Sequence, residues 1–226
     1  MPRRPRTGTG GFVFHVMNRG ARRLTLFERP ADYAVFVAVL QEATDRFPMR
    51  LLCWVAMPNH FHLVLWPRAD DELSTFMAWA TATHSRRWHL AHNTVGTGTI
   101  YQGRFKAIPV KDDRHFLTVC RYVERNPVRA RLVSRVEDWE WSSASRVSRP
   151  SGPFLHEWPV PRPAAWEDDV NVAETEPELR RLRDAIRRGT PFGPDSWPKQ
   201  TAEHLDWRNG LRRPGRPSRA LKGSEN

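Results

Sequence analysis

Two apolar runs, residues 49–56 and 60–66, are separated only by Met57-Pro58-Asn59. Proline and asparagine form turns, so the pair reads as a hairpin, with the second strand opening on His60-Phe61-His62. Side chains alternate along a strand, so the two histidines share one face while Phe61 and Leu63 point to the other. Two neutral imidazoles on one face can hold one metal ion, but a histidine on an apolar face is more often a packed core residue. Spacing alone leaves both readings open.

The flanking sequence places the hairpin in an α+β pattern. Residues 12–18, FVFHVMN, alternate as a first strand, broken at Arg19-Gly20. A helix from Pro30 carries Tyr33, Phe36, Val37 and Leu40 at helical spacing and ends near Phe47-Pro48. Leu73, Phe76, Met77, Ala80, His84 and Trp88 mark one face of a second helix, followed by the loop HNTVGTGT and a short strand ending near Val110. Asp112-Asp113 can cap a third helix with the stripe Phe116, Leu117, Cys120 and Val123, which Pro127 stops near Asn126. The order strand, helix, hairpin, helix, strand, helix predicts a small antiparallel sheet with helices packed on one face.

Four segments follow: a basic arm over 1–11, a catalytic unit over 12–147, a Pro/Trp-rich extension over 148–207 with a charged helix from Glu176 to Arg188, and a basic tail over 208–226. The tail holds six basic and no acidic residues between Arg208 and Lys222, and its prolines preclude a regular helix.

Charge narrows the partner. Thirty-six Lys and Arg against 25 Asp and Glu give a formal net charge of +11, and only four of the basic residues are lysine. Arginine forks onto phosphates and stacks on bases, which favours nucleic acid over a membrane, although a GC-rich genome produces part of the same bias. No apolar run is long enough for a membrane span and the first residues lack a signal-peptide core, so a cytoplasmic, nucleoid-associated location is expected. Cys53 and Cys120 form no CxxC pair and read as small buried residues.

If His60 and His62 hold a divalent ion facing a phosphodiester, a nucleophile is needed, either water or a side chain. Of the three tyrosines, Tyr33 lies on an inward stripe and Tyr101, beside the Gly-rich loop, could stack on a base. Tyr122 sits off the apolar stripe of the third helix between Arg121 and Arg125, the best candidate for a reactive position. Asn126, four residues on, either offers an amide oxygen to the same ion or caps the helix. His15 could face the site or the core. His84 reads as a core histidine, and Ser142-Ser143 as a packed turn.

FHVMNRG, MPNHFHLVLWP, YQGRFKA and RYVERNPVRARLV followed by WEWSS, in that order, resemble the IS200-like Y1 transposases and, within them, the REP-associated tyrosine transposase branch. The resemblance covers about residues 12–145. PFGPDSW and the GRP tail resemble that branch's C-terminal extension, and LRRPGRP an AT-hook. It implies a ferredoxin-like fold and an HUH nuclease mechanism, with His60, His62 and Asn126 as ligands of Mg2+ or Mn2+. Tyr122 would attack single-stranded DNA next to a hairpin, leaving a 5′-phosphotyrosine and a free 3′-OH. Arg104, Arg121, Arg125 and Arg129 would meet the stem, and Arg212, Arg213 and Arg216 in the tail would bind DNA. The protein would be a monomer or a homodimer. A hairpin-binding regulator that cuts nothing, and a metallohydrolase that uses water, are the competing readings.

Overall fold

The computed structural model describes residues 9–146 and 155–205. In chain order its elements are β1 (Val13–Arg19), α1 (Pro30–Arg46), β2 (Arg50–Met57), β3 (His60–Trp66), α2 (Glu72–Ala91), β4 (Lys106–Val110), α3 (Arg114–Glu124), α4 (Asn126–Arg129), α5 (Trp166–Asp169), α6 (Glu176–Arg188) and α7 (Trp197–His204). The four strands form one antiparallel sheet in the order β2-β3-β1-β4. Thus β3, the second strand of the hairpin, inserts between β2 and β1. This split connection is that of ferredoxin-like folds, and it puts the histidine pair on a central strand.

Local chemistry sets the boundaries. Asp32, in the first turn of α1, accepts from the backbone N–H groups of Glu28 and Arg29 at 3.0 Å, two donors that the helix itself cannot satisfy. Phe47, held extended before Pro48, ends that helix. Asp113 caps α3 through the backbone N–H of His115 at 2.8 Å. The chain then breaks at Arg125 and restarts as α4, with Pro127 tolerated in its first turn. α6 opens with a reciprocal capping box between Thr175 and Glu178 and closes on Gly189 at φ 71°.

Helices cover both faces of the sheet, where the sequence pattern predicts them on one. α1 and α2 pack on Phe14, Val16, Phe61, Leu63 and Leu65. The opposite face, carrying Val13, Cys53, Val55, Val64, Ile108 and Val110, is covered by Phe116, Val119, Cys120 and Val123 of α3. The reason is legible in the strands: β1 and β3 are buried almost continuously rather than alternately, and a strand apolar on both faces must be covered on both.

The extension completes that second layer. Trp166, Val170, Leu182, Ala185 and Phe192 join the core under α3. Trp158 donates its indole N–H to the Leu52 carbonyl at 2.9 Å, and residues 155 and 192 bridge to β2 and β4. No helix among the described residues is long and apolar enough to cross a membrane. Most of the expected basic arm and the whole of the basic tail, including Arg212, Arg213 and Arg216, lie outside the described residues.

Candidate active site

His60 and His62 project from the start of β3 toward α3, their ring centroids 5.0 Å apart. The carboxamide oxygen of Asn59 accepts from Nδ1 of His60 at 2.7 Å, which leaves the Nε2 lone pair of His60 for another partner. Burial, and then the charges of Arg19 and Arg129, push His60 down to about 4. Burial pushes His62 down as well, followed by the neighbouring imidazoles of His15 and His60. Both rings are therefore neutral near neutral pH, the form that binds a cation.

The structure resolves the open choice at His15. Its parity on β1 sets it on the site face, where its Nε2 lies 2.8 Å from Nδ1 of His62 and the two rings stack. Burial, and then Arg129, push His15 down to about 3. Two neutral rings in hydrogen-bond contact fix each other's orientation, as a partner behind a metal-binding histidine does. The sequence signal was available in the alternation of His15 with Phe14 and Val16, once β1 is known to neighbour β3.

Tyr122, half-buried on α3, stands over these rings, its centroid 5.8 Å from His62 and 6.0 Å from His15. Arg129, the last residue of α4, is brought back over Tyr122 by the break at Arg125. Its guanidinium carbon lies 4.1 Å from the centre of the Tyr122 ring, and Nη2 donates to the Tyr122 carbonyl at 2.8 Å. Glu174, from the extension, accepts from Arg129 at 2.6 Å and from Arg125 at 3.0 Å, its side chain almost completely buried. Glu178 takes Arg121 at 3.2 Å. Sequence reading missed Glu174 and Glu178 because their distance in the chain gives no local signal.

Asn126 is buried, and its amide nitrogen has no hydrogen-bond partner. The C-cap of α3 is Arg125 and Asn126 opens α4, so Asn126 is not the residue that caps the tyrosine helix. Among the described residues no cluster of three or more His, Cys, Asp or Glu is placed to hold a metal. A cation here would take the two imidazoles and a carboxamide oxygen, a neutral donor set that leaves the ion's charge for anionic phosphate oxygens and suits a hard or borderline divalent ion. The residues present fit such an ion.

Other candidates fall elsewhere. Tyr101 lies inside the core, its hydroxyl 2.7 Å from Nδ1 of His84, so it is not a base-stacking platform. The Ser143 hydroxyl donates at 2.8 Å to Glu124, a buried carboxylate at the end of α3 that also accepts from the Trp166 indole at 2.8 Å. That pair ties the tyrosine helix to the WEWSS turn. Arg104 is exposed on the loop before β4.

Residues 10–126 match the family described as "Transposase IS200 like", a span that contains His60, His62 and Tyr122 and ends on Asn126. The REP-associated tyrosine transposase of Escherichia coli (strain K12) is 26% identical over 145 residues, 62% of this chain and 78% of that protein. A relative from Haemophilus influenzae (strain ATCC 51907 / DSM 11121 / KW20 / Rd) is 24% identical over 119 residues, 49% of this chain and 68% of that one. A solved REP-associated tyrosine transposase bound to a REP hairpin shares the fold, with a TM-score of 0.54 at 20% identity over 77% of this chain and 92% of that one. With the imidazole pair on the central strand and the tyrosine facing it inside the matched span, the chain belongs to the IS200-like transposase family.

Proposed function

We propose that the protein is a metal-dependent endonuclease and strand transferase of single-stranded DNA, acting beside hairpins through a 5′-phosphotyrosine. The observation that carries this reading is the placement of the Tyr122 ring within 6.0 Å of His15 and His62, with His60 next to them on the same strand.

In this reading the Tyr122 hydroxyl oxygen attacks the phosphorus of a phosphodiester. The bond from phosphorus to the 3′ oxygen breaks, leaving the 5′ phosphate on the tyrosine; the phenol proton passes to solvent, and solvent returns one to the leaving oxygen to give a free 3′-OH. Attack by another 3′-OH reverses the step and joins strands without a nucleotide cofactor. His60, His62 and the amide of Asn126 would hold Mg2+ or Mn2+, which supplies a Lewis acid for the non-bridging phosphate oxygens. His15 holds the His62 ring in place. Arg129, fixed over the ring by Glu174, stabilises negative charge developing on the phenol oxygen.

The similar protein bound to a REP hairpin supports hairpin DNA as the substrate class. Arg104 and the tail residues Arg212, Arg213 and Arg216 remain the proposed stem contacts. Arg121, Arg125 and Arg129 already serve Glu178 and Glu174, which argues for positioning roles instead.

The test is denaturing electrophoresis of the protein with hairpin oligonucleotides labelled in turn at each end, in Mg2+ or Mn2+. The expected result is label that stays with the wild-type protein and is lost in Tyr122→Phe. Cleavage that persists without an adduct would mean a water-using hydrolase, and binding without cleavage a regulator.

A further inference from the structure

We infer that the turn between β1 and α1, together with Arg19 and Lys106, is a phosphate-binding cradle for the single strand that leads to the scissile bond. The inference rests on the proposed nuclease reading for its substrate and on different residues for its site.

The sheet register gathers these cations at one end. Arg19 pairs directly with His60, and Met17 pairs with both His62 and Lys106, so Arg19 and Lys106 share the face and the end that carry the histidine pair. Both cations are exposed. Gly20 then leads into Ala21–Arg23, where Arg22 and Arg23 are exposed at φ 51° and 65°. Two successive arginines in the left-handed region are held against their preference, and such backbone is maintained where the surroundings over-determine it.

The surroundings do so here. A Cβ on Gly20 would lie 2.2 Å from the Leu24 carbonyl oxygen, so only glycine closes the turn. The Gly20 N–H donates to the Asn59 carbonyl at 2.9 Å and that of Ala21 to the Ile100 carbonyl at 2.8 Å. The N–H groups of Leu26 and Phe27 both donate to the Pro58 carbonyl, at 2.8 and 3.0 Å. The turn is therefore fastened to the loop that presents His60, and its two arginines are exposed on a fixed base.

Counter-charge separates this patch from the rest of the site. Arg121, Arg125 and Arg129 on the tyrosine side are paired with Glu178 and Glu174. Among the described residues, Arg19, Arg22, Arg23 and Lys106 have no ion pair and no side-chain hydrogen bond. Unneutralised cations on a fixed scaffold next to the histidines suit the phosphates of an extended strand.

The experiment measures anisotropy of labelled oligo(dT), and of a blunt hairpin without a flank, against salt concentration for the full chain and for R22G/R23G. Glycine keeps the left-handed backbone while removing both charges, and R22K/R23K restores charge. The expected result is a loss in oligo(dT) affinity on the order of tenfold and a salt slope shallower by about 1.4, two phosphate contacts on a single strand. The lysine variant should recover the slope, and the blunt hairpin should be little affected. An unchanged oligo(dT) slope in R22G/R23G overturns the cradle, as does an equal loss on both probes, which would assign the turn to the stem. Binding needs no cleavage, so a failure of the Tyr122 adduct in the electrophoresis test leaves these outcomes readable.

Discussion

The Arg129 guanidinium carbon stands 4.1 Å from the centre of the Tyr122 ring while its Nη2 donates to the carbonyl of that same residue. One side chain thus holds both the backbone and the ring of the candidate nucleophile, and Glu174 holds that side chain. Breaking a buried pair by removing one partner costs about 3–5 kcal/mol, because a charge is left buried without compensation. Glu174→Gln should lower stability by about 3 kcal/mol, read as a lower urea midpoint, and should slow adduct formation at saturating DNA. A cleavage rate equal to wild type would show that Arg129 needs no anchor.

His60→Ala and His62→Ala should abolish cleavage and weaken Mn2+ binding, measured by calorimetry, with the circular dichroism spectrum unchanged. Chelation by EDTA should stop cleavage and leave DNA affinity nearly intact. Retained cleavage in either variant would sink the ligand assignment.

Asn126→Ala tests the unpartnered amide. Since that amide nitrogen has no hydrogen bond to lose, stability should change by less than about 1 kcal/mol. Mn2+ affinity should fall. A large stability loss with unchanged metal affinity would assign the residue to the fold.

Tyr101→Phe distinguishes a core tyrosine from a base platform. It removes the hydroxyl 2.7 Å from His84 and should cost about 1–2 kcal/mol, with no change in oligonucleotide affinity. Weaker DNA binding at unchanged stability would restore the base-stacking reading.

Glu137 makes an acid-dependent contribution. Burial would raise its pKa, but hydrogen bonds from Asn171 and Arg135 outweigh it and bring the carboxyl from 4.5 down to about 2. A carboxyl depressed on folding stabilises above its unfolded pKa and loses that contribution as pH falls from 4.5 toward 2. Urea midpoints should drop through that window in wild type, and by less in Glu137→Gln. Equal drops in both would place the acid sensitivity elsewhere.

Sequence periodicity located all four strands and helices α1, α2, α3 and α6 because each is set by local alternation, a helical stripe or a cap such as Asp113. It singled out His60, His62 and Tyr122 as candidates and placed them on the elements they occupy. It misplaced Tyr101 because a tyrosine next to a Gly-rich loop has no local mark of burial, and its partner His84 lies on another element. Stem contacts from Arg121, Arg125 and Arg129 came from the family resemblance and stay a proposal; that these arginines meet glutamates 45 to 57 residues downstream was not legible. Such pairing is decided by tertiary packing, which no window of neighbouring residues records.

The family match ends at residue 126, whereas the second layer of the fold continues to Phe192. The outer face of α3 and its arginines meet apolar and acidic groups from residues 158–192. A chain trimmed to the matched span would uncover a row of large apolar side chains and strand the guanidinium groups of Arg121 and Arg125. For anyone dissecting this family member, the smallest piece expected to melt cooperatively is therefore longer than the homologous segment.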